Sequence, residues 1–410
     1  MNRAGPGPSP LVLFPVSMIC ISALFILFSP SPFKISSNQT LPIDEVQNRA
    51  EQNDGEDEDG GMIDKGCDLF NGRWVPDMRG SAYTNWTCPT IPTSKNCFLN
   101  GREDRDFVNW RWKPDGCDLP RFDPRLFLRI MRNKKLAFVG DSVARNHMES
   151  LLCLLSQEET PEDKYKDSED RFRTWYFPGH NFTLSVLWTK FLVAEEERTV
   201  NGSGTGIFNL HLDRIDPNWG DHLADLDYMV LSDAHWFFRK LYLYRRSNLV
   251  GCIYCDEKDV ESHSPDFGLR MAFRAALARV SECGECKEGM VVIIRTFSPA
   301  HFEGGGWDSG GGCNSTSPRV DVEVEKLLEW AVRSAQVEEA ERAGGRRDVR
   351  VVDVTRAMLM RPDGHPGSHW DNQWMQGFND CVHWCMPGPV DVWSDFLLAV
   401  VRQNSRSSRS

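Results

Sequence analysis

Positive charge is scarce in this chain of 410 residues: 47 Lys and Arg stand against 59 Asp and Glu, a formal net charge of −12. That deficit disfavours nucleic acid as a partner, because phosphate contacts need clustered Lys and Arg. Long apolar runs are equally scarce. Only Leu11–Phe28, LVLFPVSMICISALFILF, is long and uncharged enough to suggest a membrane span, so no second span is expected. No internal repeat occurs, which argues against solenoids and propellers. What is present, 40% hydrophobic and 26% charged residues, is an ordinary globular composition of a length that suits one large domain or two ordinary ones.

The single apolar run reads as a retained signal-anchor over 11–29 behind a short cytosolic tail, 1–10. It is long for the core of a cleaved signal peptide, and the Ser-Pro-Ser-Pro that follows is a poor cleavage site. A cytosolic N-terminus then puts the rest of the chain in the secretory lumen. Two features agree with that compartment. Asn38, Asn85, Asn181, Asn201 and Asn314 all stand in Asn-x-Ser/Thr sequons. Of the 13 cysteines, Cys20 lies in the apolar run, which leaves an even set for disulfide pairing beyond it.

Beyond the anchor, 30–62 is polar and then acidic, ending in EDEDGG, and reads as a disordered lumenal stem. Residues 63–134 are dense in Cys, Trp, Pro and Arg with little periodicity, which predicts a loop-rich, disulfide-stapled subdomain packed on the main body. From Lys135 the pattern changes. LAFVG (136–140), YMVLS (228–232), MVVIIRTF (290–297) and VRVVDV (349–354) predict buried strands, and 143–155, about 265–281, 319–339 and 388–402 predict helices. This alternation argues for an α/β sandwich over 135–402 with a mainly parallel central sheet. A disordered tail is expected over 403–410.

Two segments carry chemistry. Gly140-Asp141-Ser142 falls where an apolar strand ends and a helix begins, the place where open α/β sheets collect their sites. A serine there exposes its hydroxyl, and its N–H, at a helix N-terminus, suits an oxyanion. Gly140 permits a tight turn and close approach of substrate. The plainer reading is that Asp141 and Ser142 simply cap the helix. Near the C-terminus, Asp380-Cys381-Val382-His383 supplies what a nucleophilic serine needs, a base and a carboxylate to orient it; three residues apart, the two lie on one side of a helical turn. Arg145 is a further candidate near the oxyanion. A Gly-x-Asn block for the remaining oxyanion donors is missing; Ser232-Asp233-Ala234-His235-Trp236 stands at a suitable strand end without the Asn.

Cys252-x-x-Cys255 and Cys283-x-x-Cys286 have the form of a zinc ribbon, but their separation is long, and in an oxidising lumen disulfides fit better. No metal is expected. Among the 14 tryptophans, Trp74, Trp110, Trp112, Trp236, Trp307, Trp374 and Trp384 stand in polar or Gly-rich surroundings. Core packing is the ordinary fate of each, with one or two expected to touch glycan.

The pairing of GDS with a distant DxxH resembles the SGNH/GDSL esterase-like superfamily. CDLFNGRWV (67–75), NGREDRDFVNWRWKP (100–114), CDLPRF (117–122), FVGDSVARNHMESLLCLL (138–155), HWFF (235–238) and NDCVHWCMPGPVDVW (379–393) resemble the plant trichome birefringence-like polysaccharide O-acetyltransferases. The resemblance implies an SGNH-like αβα sandwich, with Ser142 as nucleophile, His383 as base and Asp380 as its orienting acid. It also implies the pairs Cys67–Cys117, Cys88–Cys153, Cys97–Cys385 and Cys313–Cys381, leaving Cys252, Cys255, Cys283 and Cys286 to pair among themselves. One departure is His147, where many relatives carry Gln. The implied activity is acetyl transfer to a neutral hemicellulose in the Golgi lumen by a single-pass type II membrane protein. It binds no cofactor but needs an acetyl donor, acetyl-CoA or another carrier. RTFSPAHFEGGGWDSGGGC (295–313) and PGHNFTLSVLWTKFLV (178–193) look like the xyloglucan branch. Xylan is the nearest competing acceptor, and a lumenal acetyl-esterase the competing reaction; a glycan-binding protein with a relict site is disfavoured by the intact Ser142, Asp380 and His383.

Overall fold

In the computed structural model the described residues are 66–345, 347–371 and 377–407. The expected anchor and stem, with Cys20, Asn38 and Trp374, lie outside them. The described chain opens with an antiparallel ribbon, β1 (Gly72–Pro76) against β2 (Trp110–Pro114). Trp74 and Trp112 face each other across this ribbon with ring centroids 5.8 Å apart, both buried. Their indole N–H groups donate to Ala357 O at 2.8 Å and Leu69 O at 2.9 Å, so burial leaves neither polar tip unpaired. Helix α1 (Pro124–Ile130) follows, capped by Asp123 and begun by Pro124.

The α/β body begins with β3 (Lys135–Gly140) and α2 (Ser142–Leu155), then β4 (Glu162–Lys166), β5 (Phe172–Phe177), β6 (Phe182–Trp188), β7 (Val193–Val200), β8 (Ser203–Ile215) and a single turn, α3 (Pro217–Gly220). It continues through β9 (Tyr228–Ser232), β10 (Leu241–Arg245), β11 (Asn248–Ile253), β12 (Ser262–His263), α4 (Pro265–Ser281) and β13 (Val291–Arg295). The last elements are α5 (Leu328–Ala343), β14 (Asp348–Val352), α6 (Thr355–Leu359) and α7 (Val392–Ser407).

A seven-stranded sheet runs β14-β13-β9-β3-β6-β5-β4. The first five strands pair in parallel, and β5 and β4 add an antiparallel edge. The sheet is therefore mixed, parallel only in the part that carries the site. Its central strands are apolar on both faces, as a covered parallel sheet requires. Leu136 and Phe138 join the core beneath α1, α2 and α7, whereas Ala137 and Val139 join the opposite core with residues of α4 and α5. That is the expected αβα layering.

A second, five-stranded sheet, β12-β11-β10-β8-β7, adjoins the α4 side and has no counterpart in the expected sandwich. Its strands escape sequence reading because β7, VAEEERTV, and the start of β8 are mostly polar and exposed, with no buried alternation to mark them. The helix expected over 319–339 begins only at Leu328 and runs to Ala343. Before it the chain is irregular: the Arg319 N–H donates to Met360 O and Val324 inserts into the interior, contacts a helix would break. At the C-terminus α7 continues to Ser407, into the stretch expected to be a disordered tail.

Six disulfides close within the described residues: Cys67–Cys117, Cys88–Cys153, Cys97–Cys385, Cys313–Cys381, Cys252–Cys255 and Cys283–Cys286. Each CxxC closes on itself. Two bridges, Cys88–Cys153 and Cys97–Cys385, bind the Trp-rich segment to the body. The described sequons Asn181, Asn201 and Asn314 are exposed and Asn85 is half-buried.

Candidate active site

Strand β3 lies between β9 and β6, and its last residue, Gly140, sits in register with Ser232 on one side and Trp188 on the other. Gly140 has φ +148°, and a Cβ here would fall 1.6 Å from Ser232 O. The glycine is thus required by the neighbouring strand's backbone rather than by an approaching substrate. The next residue, Asp141, is buried and ties the turn down with both carboxylate oxygens. Oδ1 accepts the Val143 N–H at 2.8 Å and the Ala144 N–H at 3.2 Å, capping α2; Oδ2 accepts the Ala234 and His235 N–H groups at 3.4 and 3.3 Å. Capping and site-building are one arrangement here. Ser142 is left as the first residue of α2, where its N–H has no acceptor within the helix.

The Ser142 hydroxyl donates to His383 Nε2 at 2.7 Å, and His383 Nδ1–H donates to Asp380 Oδ2 at 2.8 Å. The Asp380–His383 segment forms a bend rather than the helical turn expected. In that bend Asp380 Oδ1 accepts the backbone N–H of His383 at 2.9 Å and of Val382 at 3.1 Å, so one carboxylate holds both the loop and the ring. Burial alone would push the Asp380 carboxyl up. The His383 charge, its side-chain hydrogen bond and the two backbone N–H groups outweigh burial and hold it below the usual carboxylate range. The site thus has a half-buried hydroxyl, an imidazole in hydrogen-bond contact with it, and a fixed anion behind the imidazole. That arrangement can deprotonate Ser142 for attack on a carbonyl and return the proton to a leaving group.

Arg145, expected as an oxyanion contributor, is occupied elsewhere. Its Nε donates to Glu149 at 3.1 Å, and its terminal nitrogens bind the carbonyl and carboxylate of Asp170. His147 lies in the interior between Phe138 and Trp393, ring centroids 4.9 and 5.4 Å away, and burial holds its pKa well below the usual imidazole range. It is a packing residue. Trp74, Trp112 and Trp384 are likewise core, Trp110 packs partly against it, and Trp307 is exposed. Trp236 is half-buried, 6.2 Å and edge-on from Trp188.

Most of the supporting residues carry no sequence signal. Asn146, one turn along α2, clamps the base loop: its Oδ1 accepts the Trp384 N–H at 2.8 Å and its amide faces Trp384 O at 3.4 Å. His365 Nδ1 lies 2.7 Å from His383 O, and Ser298 Oγ accepts the Trp384 Nε1–H at 2.8 Å. His235, just after β9, places Nε2 2.8 Å from Ser298 O. Beneath the nucleophile turn lie Asp233 and Arg295. Burial, with the Asp141 charge, pushes the Asp233 carboxyl well above the usual range, and burial lowers Arg295 to about 10. Of these, Asp233 and His235 stand in the strand-end segment 232–236 that the sequence marks, whereas Asn146, His365 and Ser298 stand in no catalytic motif.

Two family models match the chain. The PMR5 N-terminal domain matches residues 65–118, and the GDSL/SGNH-like acyl-esterase family found in Pmr5 and Cas1p matches 119–400. The division leaves α1 in the body, where its Phe127 and Leu128 join the core with α2 and α7. The chain is 57% identical over 401 residues to xyloglucan O-acetyltransferase 4 of Populus trichocarpa, covering 97% of this chain and 92% of the relative. It is 50% identical over 398 residues to xyloglucan O-acetyltransferase 2 of Arabidopsis thaliana, covering 95% and 92%. Protein trichome birefringence-like 20 of Arabidopsis thaliana is 43% identical over 346 residues, 82% of this chain and 72% of that protein. The chain belongs to the GDSL/SGNH-like acyl-esterase family, among its trichome birefringence-like and polysaccharide O-acetyltransferase members.

Proposed function

We propose that this protein is a xyloglucan O-acetyltransferase working by double displacement through Ser142, His383 and Asp380. The observation that carries the reading is the continuous chain from Ser142 Oγ to His383 to Asp380, at 2.7 and 2.8 Å, in a protein 57% identical to a xyloglucan O-acetyltransferase. His383 takes the Ser142 proton as Oγ attacks the donor's acetyl carbonyl, and returns it to the donor's leaving group. The Ser142 N–H at the start of α2 faces the developing oxyanion, favoured by the helix dipole. A sugar hydroxyl then attacks acetyl-Ser142 with His383 again as base. Asp380 remains charged throughout and stabilises the imidazolium.

The donor is an acetyl carrier such as acetyl-CoA, and the acceptor a neutral hemicellulose. The apolar run at Leu11–Phe28, the sequons and the paired cysteines support a type II anchor with the catalytic domain in the Golgi lumen. The family's acyl-esterase description supports a second reading, hydrolysis of polysaccharide acetyl esters by the same triad. Both are tested by one experiment. The full chain is incubated with acetyl-CoA or 4-nitrophenyl acetate and de-acetylated xyloglucan or xylan oligosaccharides. Acetyl gain is read by mass beside Ser142→Ala. Gain on xyloglucan, lost in the variant, is expected. Free acetate without sugar ester, together with hydrolysis of an acetylated glycan, replaces the transferase reading with the esterase one.

A further inference from the structure

We propose that His235 is an acceptor-binding residue whose Nδ1 accepts a hydrogen bond from the sugar hydroxyl adjacent to the one being acetylated. The proposal rests on the transferase reading above and concerns the same site. His235 is held from both sides of that site. Its backbone N–H donates to Asp141 Oδ2, part of the nucleophile turn, at 3.3 Å. Its ring Nε2 lies 2.8 Å from Ser298 O, and Ser298 Oγ accepts from the indole of Trp384, the residue after His383. Phe297 packs on the ring with centroids 5.0 Å apart. The residue is therefore tied to the nucleophile turn through its backbone and to the base loop through Ser298 and Trp384.

The Ser298 carbonyl decides the tautomer. A carbonyl can only accept, so Nε2 carries the hydrogen and, in a neutral ring, Nδ1 presents a lone pair. Burial keeps the ring neutral, lowering its pKa to about 4 against the opposing pull of Asp141. Nδ1 makes no hydrogen bond among the described residues, and it is not one of the polar atoms sealed unpaired in the interior. It is an acceptor left without a partner among the described residues. An acceptor-only nitrogen cannot stabilise an oxyanion, which needs donors. With no carboxylate behind it, it does not duplicate His383 either.

A hydroxyl hydrogen is what it can take. Hemicellulose sugars carry hydroxyls on neighbouring carbons. In the transfer step the attacking hydroxyl gives its proton to His383 Nε2 as its oxygen bonds to the acetyl carbon. The bond from that carbon to Ser142 Oγ breaks, and the proton passes from His383 to Oγ. His235 neither gains nor loses a proton; it holds the neighbouring hydroxyl and so orients the ring. Water has no such second hydroxyl, so the contact favours sugar over hydrolysis.

The test uses the full chain, 4-nitrophenyl acetate as donor, and two methyl glucosides as acceptors, one with adjacent hydroxyls and one deoxygenated beside the acetylated position. Wild type is expected to favour the diol about tenfold in kcat/KM, the value of one neutral hydrogen bond. His235→Gln, which keeps an N–H for Ser298 O but lacks a nitrogen at Nδ1, is expected to lose that preference. Its KM for xyloglucan oligosaccharide should rise about tenfold, and more acetyl should go to water. A variant that still prefers the diol, or whose nitrophenolate burst and sugar transfer fall in equal proportion, overturns the proposal while leaving the transferase reading intact. Should His235→Gln not fold, His235→Phe, which keeps a ring but has no acceptor at the Nδ1 position, is measured on the same pair of acceptors: loss of the diol preference supports the proposal and its retention overturns it. A wild type that forms no sugar ester overturns the reading and this inference together.

Discussion

The two halves of the proposed catalytic relay are held in opposite ways. Ser142 stands on regular structure, a parallel strand feeding a helix, and its turn is secured by hydrogen bonds to one neighbouring carboxylate, Asp141. The His383 loop has no regular secondary structure. It is braced by two long-range disulfides, Cys97–Cys385 and Cys313–Cys381, and by backbone contacts at nearly every residue. Asp380 exchanges two backbone bonds with Gly367, both 2.9 Å; the His301 N–H reaches Cys381 O at 3.1 Å; the Cys385 N–H reaches Gly364 O at 3.0 Å; and the Met386 N–H reaches Lys95 O at 2.8 Å. A strand–helix junction supplies its own precision. An irregular loop must import it from distant chain, and oxidised cysteines are an effective way to do so.

The sharpest blow to the base side is Asp380→Asn. It keeps the shape of the bend but removes the anion that orients and stabilises the imidazolium. Activity is expected to fall about 10⁴-fold with the fold retained, by analogy with other Ser-His-Asp sites; unchanged circular dichroism with a turnover rate within about tenfold of wild type would remove Asp380 from the role. On the nucleophile side Gly140→Ala forces a Cβ against Ser232 O at a positive φ. It is expected to lower activity by roughly 10²-fold or more and Tm by several degrees, because the turn and β9 must part. A variant as active as wild type would mean the backbone relaxes freely there.

The disulfides test the contrast directly. Cys97→Ser with Cys385→Ser opens a bridge spanning 288 residues that anchors the base loop, whereas Cys252→Ser with Cys255→Ser opens one spanning 3. Chain-entropy reasoning puts the first at roughly 2–5 kcal/mol of stability and the second far lower. Activity should follow the same order, with ~10-fold or greater loss for the first pair and little for the second. Equal losses would mean the base loop is held well enough by its hydrogen bonds.

Asp391, just after the base loop, links the halves: its Oδ1 accepts from Ser150 of α2 at 2.6 Å and from Tyr83 at 2.7 Å. Burial raises its carboxyl to about 6, against the lowering effect of these donors. The folded pKa lies above the ordinary carboxylate value, so the folded state binds the proton more tightly. The resulting stability is fully present below about pH 4, falls as pH rises toward about 6, and is flat beyond. The change is of order 1–3 kcal/mol. Thermal midpoints from about pH 4 to 7 should show this fall. Asp391→Asn should make it shallower without abolishing it, because burial also raises the carboxyls of Asp233 and Asp395, the latter to about 8; an unchanged slope in the variant assigns the fall to those groups.

This contrast also explains what could be read in advance. The nucleophile side was legible because its information is local: the strand at 136–140, the helix at 143–155 and the GDS turn between them all occur near the expected positions. Ser142, His383 and Asp380 stand in two short motifs, and their meeting across 241 residues is what the fold adds. Asn146, His365 and Ser298 carry no such mark because each acts on a residue elsewhere in sequence, Asn146 on Trp384 at a separation of 238; His235 stands in the marked strand-end segment 232–236, but its partner Ser298 lies 63 residues on. Cysteine spacing alone leaves every pairing open; four pairs came from family resemblance. The second sheet escapes because exposed, polar strands such as β7 carry no periodic apolar signal.

Arg145 marks the limit of proximity as a guide, and its substitution should have the smallest effect of all. It lies within one helical turn of Ser142, yet its guanidinium serves Glu149 and Asp170. Neither carboxylate is stranded when it goes. Glu149 keeps Lys95, and Asp170 keeps Lys166 at 3.5 Å and Arg173 at 3.7 Å. Arg145→Ala should therefore leave kcat/KM within about twofold and cost about 1 kcal/mol or less, the range of partly exposed ion pairs. If turnover instead slowed by roughly 10²-fold or more at unchanged Tm, the size of effect that follows loss of an oxyanion donor, the guanidinium would have to leave these partners for the oxyanion during the reaction. The nucleophile side would then need a moving part that its regular structure does not show.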